Sequence, residues 1–103
     1  MSKYLKVVLG QILEDSPLTL DELSRAAHAD IQTVALLVEY HIIQPTGRTP
    51  QTWRFRSLDL YRTKKAIALQ KELELNLTAI SIVLDLLDDI KHLREEVEHF
   101  NKN

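Results

Sequence analysis

Six carboxylates, Asp85, Asp88, Asp89, Glu95, Glu96 and Glu98, fall on one side of the stretch Leu77 to Asn101 when it is wound at roughly 100° per residue. Ser81, His92 and His99 share that side, and no lysine or arginine does. Such a face can attract a cationic surface quickly and in a salt-sensitive way, which is recognition chemistry rather than bond-making. A smaller acidic group, Asp21, Glu22 and Glu39, stands earlier in the chain. The first group is denser, so Asp85, Asp88, Asp89, Glu95 and Glu96 are the preferred docking residues. A merely solvated helix face is the plainer alternative for both groups.

Catalysis finds little support. Two isolated glycines cannot form a phosphate-cradling loop, and no glycine-flanked nucleophile appears. His92 and His99 are seven residues apart, hence about 10 Å apart along a helix, too far to share one ion. His28 and His41 fall near expected helix ends, where imidazole serves the helix dipole. The absence of cysteine excludes disulfides, thiol catalysis and the common zinc frameworks, and fits a reducing interior. The chain reads as a non-enzyme that needs no cofactor or metal.

With 103 residues, 45% hydrophobic and 27% charged, the chain has the composition of one soluble domain with a modest core. A net charge of -2 gives no general attraction to nucleic acid. No apolar run reaches the length of a membrane span, and Met1-Ser-Lys-Tyr-Leu-Lys6 lacks the features of a signal peptide. The expected location is the cytoplasm.

The acidic face belongs to a helix that needs a partner. Ala79, Val83, Leu86, Ile90, Leu93, Val97 and Phe100 follow spacings of 4, 3, 4, 3, 4 and 3, the heptad pattern that keeps one apolar edge turned toward another helix. Ile80, Leu84 and Leu87 widen the apolar surface in the first half, so that half can touch its own domain as well as a second chain. Lys91 and Arg94 close the extra face beyond Ile90. The expected homodimer interface is therefore Val83, Leu86, Ile90, Leu93, Val97 and Phe100.

Upstream, the apolar opening from Tyr4 to Leu13 fits a helix or a strand, and the β-branched pair Val7-Val8 with Gly10 favours a strand. Thr19 and Glu22 make a capping box for a short helix through about His28, and Asp30 caps a second through about His41. Two short helices joined by a tight turn form a helix-turn-helix pattern. Thr46 to Gln51 reads as a loop and Thr52 to Phe55 as a strand, together a wing, with Trp53 and Phe55 plugging the core beneath it. Ser57 is the expected cap of a third helix from Leu58 to about Glu74, with Tyr61, Ile67, Ala68, Leu69 and Leu73 packing on more than one side.

Arg48, Arg54, Arg56, Arg62, Lys64 and Lys65 gather around the wing and the third helix, where phosphate contacts would fall in a winged helix-turn-helix. Arg48, Arg54, Arg56, Lys64 and Lys65 are the residues a DNA-binding reading would use. The would-be recognition helix Ile31 to His41 carries no lysine or arginine and bears Glu39, so DNA is not the expected partner. The favoured reading is a solvated set of surface cations partly paired with Asp59, Glu72 and Glu74.

This order of parts, with Ile42-Ile43-Gln44-Pro45 closing the helix-turn-helix, resembles the MerR-type regulators over almost the whole chain. Trp53-Arg54-Phe55, Leu69-Gln70-Lys71-Glu72-Leu73 and Leu84-Asp85-Leu86-Leu87-Asp88-Asp89-Ile90-Lys91-His92-Leu93 together resemble the CbpM chaperone-modulator family, a MerR-like group. Where DNA-binding members usually have Leu-Arg-Tyr-Tyr, this chain has Val34-Ala35-Leu36-Leu37, without the arginine and aromatics that approach the DNA backbone. The resemblance implies a mainly α, MerR-like winged helix-turn-helix with a short β wing and a long C-terminal dimerisation helix. Its expected parts are an arm or strand over 1–17, helix-turn-helix and wing over 18–56, a third helix over 57–75 and a coiled-coil helix over 77–101. It also implies binding to the J-domain of a DnaJ-like co-chaperone of CbpA type, restraining both its work with the Hsp70 chaperone DnaK and its DNA binding. A MerR-type transcriptional regulator is the alternative function.

Overall fold

The computed structural model describes residues 16–101, which form a mainly helical unit. The expected arm over 1–17 therefore lies, except for its last two residues, outside the described residues. Four helices are present among the described residues: α1 (Leu20–Ala27), α2 (Ile31–Glu39), α3 (Ser57–Leu73) and α4 (Leu77–Asn101).

The capping box at α1 forms as expected. The Glu22 backbone N–H donates to Thr19 Oγ1 at 3.2 Å, and the Thr19 N–H donates to Glu22 Oε1 at 2.9 Å. Two otherwise orphaned donors are thereby satisfied. Thr19→Ala should cost about 1 kcal/mol of stability, read as a lower urea midpoint, and Thr19→Ser should restore most of it.

Helix α1 ends at His28 in the left-handed conformation (φ 55°), and the Ala29 N–H returns to the Ser24 carbonyl at 3.0 Å. The Ser24 hydroxyl also donates to the Ala29 carbonyl, so the turn is fastened without the glycine often used there. Asp30 then caps α2, accepting from the Thr33 N–H at 2.7 Å. Helix α2 stops at Glu39, two residues before the expected end, and His41 turns left-handed (φ 59°) to send Ile42 and Ile43 into the core.

The wing contains little strand. The expected strand over 52–55 is reduced to isolated antiparallel bridges, Thr46 with Arg54 and Leu18 with Phe55. The Thr52 N–H donates back to the Thr49 carbonyl at 2.9 Å, which makes Thr52 part of the loop's turn, and Arg56 already serves the next helix. Gly47 adopts φ +100°, and a Cβ there would sit 2.5 Å from the Thr52 carbonyl oxygen, so only glycine fits.

The expected capping by Ser57 is corrected by the structure. Ser57 is the first helical residue, and the buried Asp59 carboxylate reaches back to accept from the Arg56 N–H at 2.9 Å. The same carboxylate accepts from the Gln44 N–H at 3.4 Å, fastening the end of the helix-turn-helix to the start of α3. An acid at the third helical position can close a helix start in this way, so no hydroxyl is needed at the cap.

The core is shared by all four helices: Leu23 and Ala27 of α1, Val34 and Leu37 of α2, Leu60 and Ala66 of α3, and Ile80 and Leu84 of α4 surround Ile42, Ile43 and Phe55. Phe55 is fully buried and Trp53 half-buried, edge-on at 6.0 Å between ring centroids, as the plug reading requires. On α3 the packing residues are Leu60, Thr63 and Ala66, with Ile67, Ala68 and Leu69 half-buried. Tyr61 and Leu73 are exposed, contrary to the expectation that they pack.

Candidate partner-binding surface

Asn76 caps α4, accepting from the Ala79 N–H at 2.8 Å, and directs the helix across α3. Ile80 and Leu84 seal that contact. The heptad edge turns elsewhere. Val83 is half-buried, while Leu86, Ile90, Leu93, Val97 and Phe100 are exposed, Leu93 at 60% and Phe100 at 80%. Every residue from Asp89 to Asn101 is exposed, although Ile90, Lys91 and Arg94 still wall a cleft of about 540 Å³ with Leu58, Tyr61 and Lys65 of α3. A bare apolar stripe on a free helix is marginal alone and marks an interaction surface.

The acidic side of α4 is divided in two. Asp85 and Asp88 lie against α3, where Arg62 meets them: Nη1 donates to Asp88 Oδ2 at 2.6 Å and Nη2 to Asp85 Oδ1 at 3.3 Å. Arg62 Nε donates to the Ile42 carbonyl at 2.6 Å, so one guanidinium joins the helix-turn-helix, α3 and α4. The Arg62 side chain is only 9% exposed, whereas Asp85 and Asp88 are 71% and 45% exposed. This overturns the expectation that Arg62 is a solvated surface cation paired with Asp59, Glu72 or Glu74. Asp89, Glu95, Glu96 and Glu98 stay exposed, with His92 Nδ1 3.9 Å from Glu95.

In the smaller acidic group, Asp21 forms an ion pair with Arg25, Glu22 serves the capping box and Glu39 is exposed on α2. Asp30 adds a fourth carboxylate beside them. The hydrogen bonds from Thr33, its side chain first and its backbone second, hold the Asp30 carboxyl below the usual carboxylate range, so it stays ionised at neutral pH. Ile31, Leu36 and Tyr40 are exposed on α2. On a helical wheel Leu36 turns away from Val34 and Leu37, whereas Ile31 and the C-cap Tyr40 stand three residues from one of them, at the two edges of the buried side.

Of the residues a DNA-binding reading would use, Arg48, Arg54, Arg56 and Lys65 are exposed and Lys64 is half-buried. Arg54 Nη1 donates to the Trp53 carbonyl at 2.7 Å. A polar cleft of about 410 Å³ separates the end of α2, the start of α3 and α4, with His41, Gln44, Arg56, Asp59, Arg62 and Asp85 on its walls. Among the described residues no group of three or more histidine, aspartate or glutamate side chains could hold a metal ion. None of the described helices is long and apolar enough to cross a membrane.

A paired-helix head with a short loop, a third helix and a long projecting C-terminal helix is the helical framework of a MerR-type helix-turn-helix protein. The chain matches the family model described as MerR HTH family regulatory protein over residues 18–102. It is 40% identical over 93 residues to the chaperone modulatory protein CbpM of Coxiella burnetii, covering 89% of this chain and 88% of that protein. It is 36% identical over 74 residues to CbpM of Pseudomonas putida, covering 72% and 73%, and 35% identical over 79 residues to CbpM of Pseudomonas entomophila, covering 75% and 78%. The chain belongs to the CbpM family of MerR-like chaperone modulatory proteins.

Proposed function

We propose that this chain is a non-catalytic chaperone modulator that binds the J-domain of a DnaJ-like co-chaperone of CbpA type. It masks the J-domain's basic surface from the Hsp70 chaperone and restrains the co-chaperone's own DNA binding. It works as a homodimer through Val83, Leu86, Ile90, Leu93, Val97 and Phe100 of α4, in the cytoplasm. The family name that its relatives carry supports the modulator reading. The single observation that carries it here is the character of α2. In place of a cationic recognition helix stands one with no lysine or arginine, an exposed Glu39, and exposed Ile31, Leu36 and Tyr40. A helix of that kind repels phosphate and attracts a basic protein surface.

Calorimetric titration into the full-length co-chaperone tests this reading. Saturable binding should weaken by about an order of magnitude between low and physiological salt, because the attraction is screened. Absence of a complex at both salts, together with sequence-preferring duplex binding, would replace it with the transcriptional-regulator reading.

A further inference from the structure

Affinity and steering need different surfaces. Exposed charges mainly raise the association rate and fix orientation, whereas tight binding needs apolar anchors that become fully desolvated. The exposed carboxylates on the acidic side of α4, Asp89, Glu95 and Glu96, have His92 and His99 between them, with His92 against Glu95. The apolar stripe of α4 lies on a different edge, the one assigned above to the second copy. Asp85 and Asp88 are held by Arg62. That acidic side can steer a partner and offers Ile82, in line with Asp89 and Glu96, as an apolar contact.

The α2 face has both properties. Wound at roughly 100° per residue, the arc turned away from Val34 and Leu37 carries Gln32, Ala35, Leu36 and Glu39, with the C-cap Tyr40 one turn beyond Leu36, and has one charge and no cation. From α1 through the 46–54 loop the chain has four carboxylates, Asp21, Glu22, Asp30 and Glu39, against three arginines, Arg25, Arg48 and Arg54; the Asp21–Arg25 pair leaves Glu22, Asp30 and Glu39 on the two helices.

We propose that the free face of α2, with Leu36 and the C-cap Tyr40 one turn on, anchors a basic amphipathic helix of the partner, while the acidic side of α4 only steers its approach. The inference rests on the modulator reading above and specifies which surface that reading uses. The partner helix lays its apolar side on Leu36 and Tyr40, and its flanking cations meet Glu39. The mode is a helix laid against an apolar surface with a charged rim.

The test compares two variants by titration into the full-length co-chaperone and by stopped-flow mixing with it, at fixed salt. Leu36→Ala combined with Tyr40→Ala should weaken binding about a hundredfold, the scale expected when central anchors are truncated. Both side chains are exposed, so the melting temperature should stay close to that of the parent chain. Asp89→Lys combined with Glu96→Lys should slow association severalfold and leave the dissociation rate nearly unchanged. Parent-like affinity in the α2 variant, with binding abolished by the α4 variant, overturns the proposal and leaves the modulator reading intact. Failure of the parent chain itself to bind overturns both. A shift of the monomer–dimer equilibrium in the α2 variant assigns that face to a second copy and also overturns the proposal.

Discussion

Arg62→Met should lower stability by about 3 kcal/mol, seen as a urea midpoint shift at constant slope and a melting temperature lower by about 10 °C or more. The guanidinium makes three charge-assisted hydrogen bonds in different directions, to the Ile42 carbonyl and to Asp88 and Asp85. Each such bond contributes roughly 1.5–3 kcal/mol in isolation, and the sum is reduced because the exposed aspartates recover water when the arginine is removed. The buried Ile42 carbonyl does not recover water in the same way, and methionine offers it no donor. Arg62→Lys should rescue little, since a single ammonium cannot reproduce the planar fork. Asp88→Asn should cost about 1 kcal/mol, and a double-mutant cycle with Arg62→Met should return a coupling of comparable size. A loss below about 0.5 kcal/mol for Arg62→Met would reduce the contact to an ordinary surface ion pair. The contact also constrains how docking is tested. Charge reversal at Asp88 places a cation against buried Arg62 and damages the α3–α4 joint, so only Asp89 and the glutamates beyond it can report on a partner.

Which features were legible in the sequence follows from how local their causes are. The caps of α1 and α2 are decided within three residues, and both form as Thr19, Glu22 and Asp30 require. The heptad edge of α4 is decided by spacing, and the bare stripe from Leu86 to Phe100 follows it. Failures occurred where a residue serves something distant. Arg62 reads as a solvated cation because its partners Asp85 and Asp88 are 23 and 26 residues away. Asp59 reads as a counter-ion for surface cations, yet it is buried, closes the start of α3 and reaches Gln44 fifteen residues back. The strand over 52–55 was expected from alternation alone, and alternation does not reveal that Thr52 is drawn into a turn with Thr49. The acidic side of α4 was read as uniformly wet because a wheel records direction around one helix and not what lies across from it.

Leu93→Glu should abolish the proposed dimer, weakening self-association by at least about a hundredfold in sedimentation equilibrium. Leu93 lies on the exposed edge and touches none of the core residues, so its loss leaves the domain's own packing in place. Burying one leucine contributes roughly 1.5–3 kcal/mol, and a dimer loses two of them, before the further cost of bringing two carboxylates into one apolar seam. The effect should reach the helix itself. The exposed stretch from Asp89 to Asn101 is about the length at which an isolated helix becomes marginal in water, so circular dichroism of Leu93→Glu should show helix lost from that half while the core unfolds at nearly its former temperature. Glu95→Gln, off the seam, should leave association unchanged. A parent chain that is monomeric at all concentrations yet fully helical would remove the dimer from the proposal, because α4 would then hold its form without the partner that its bare edge calls for.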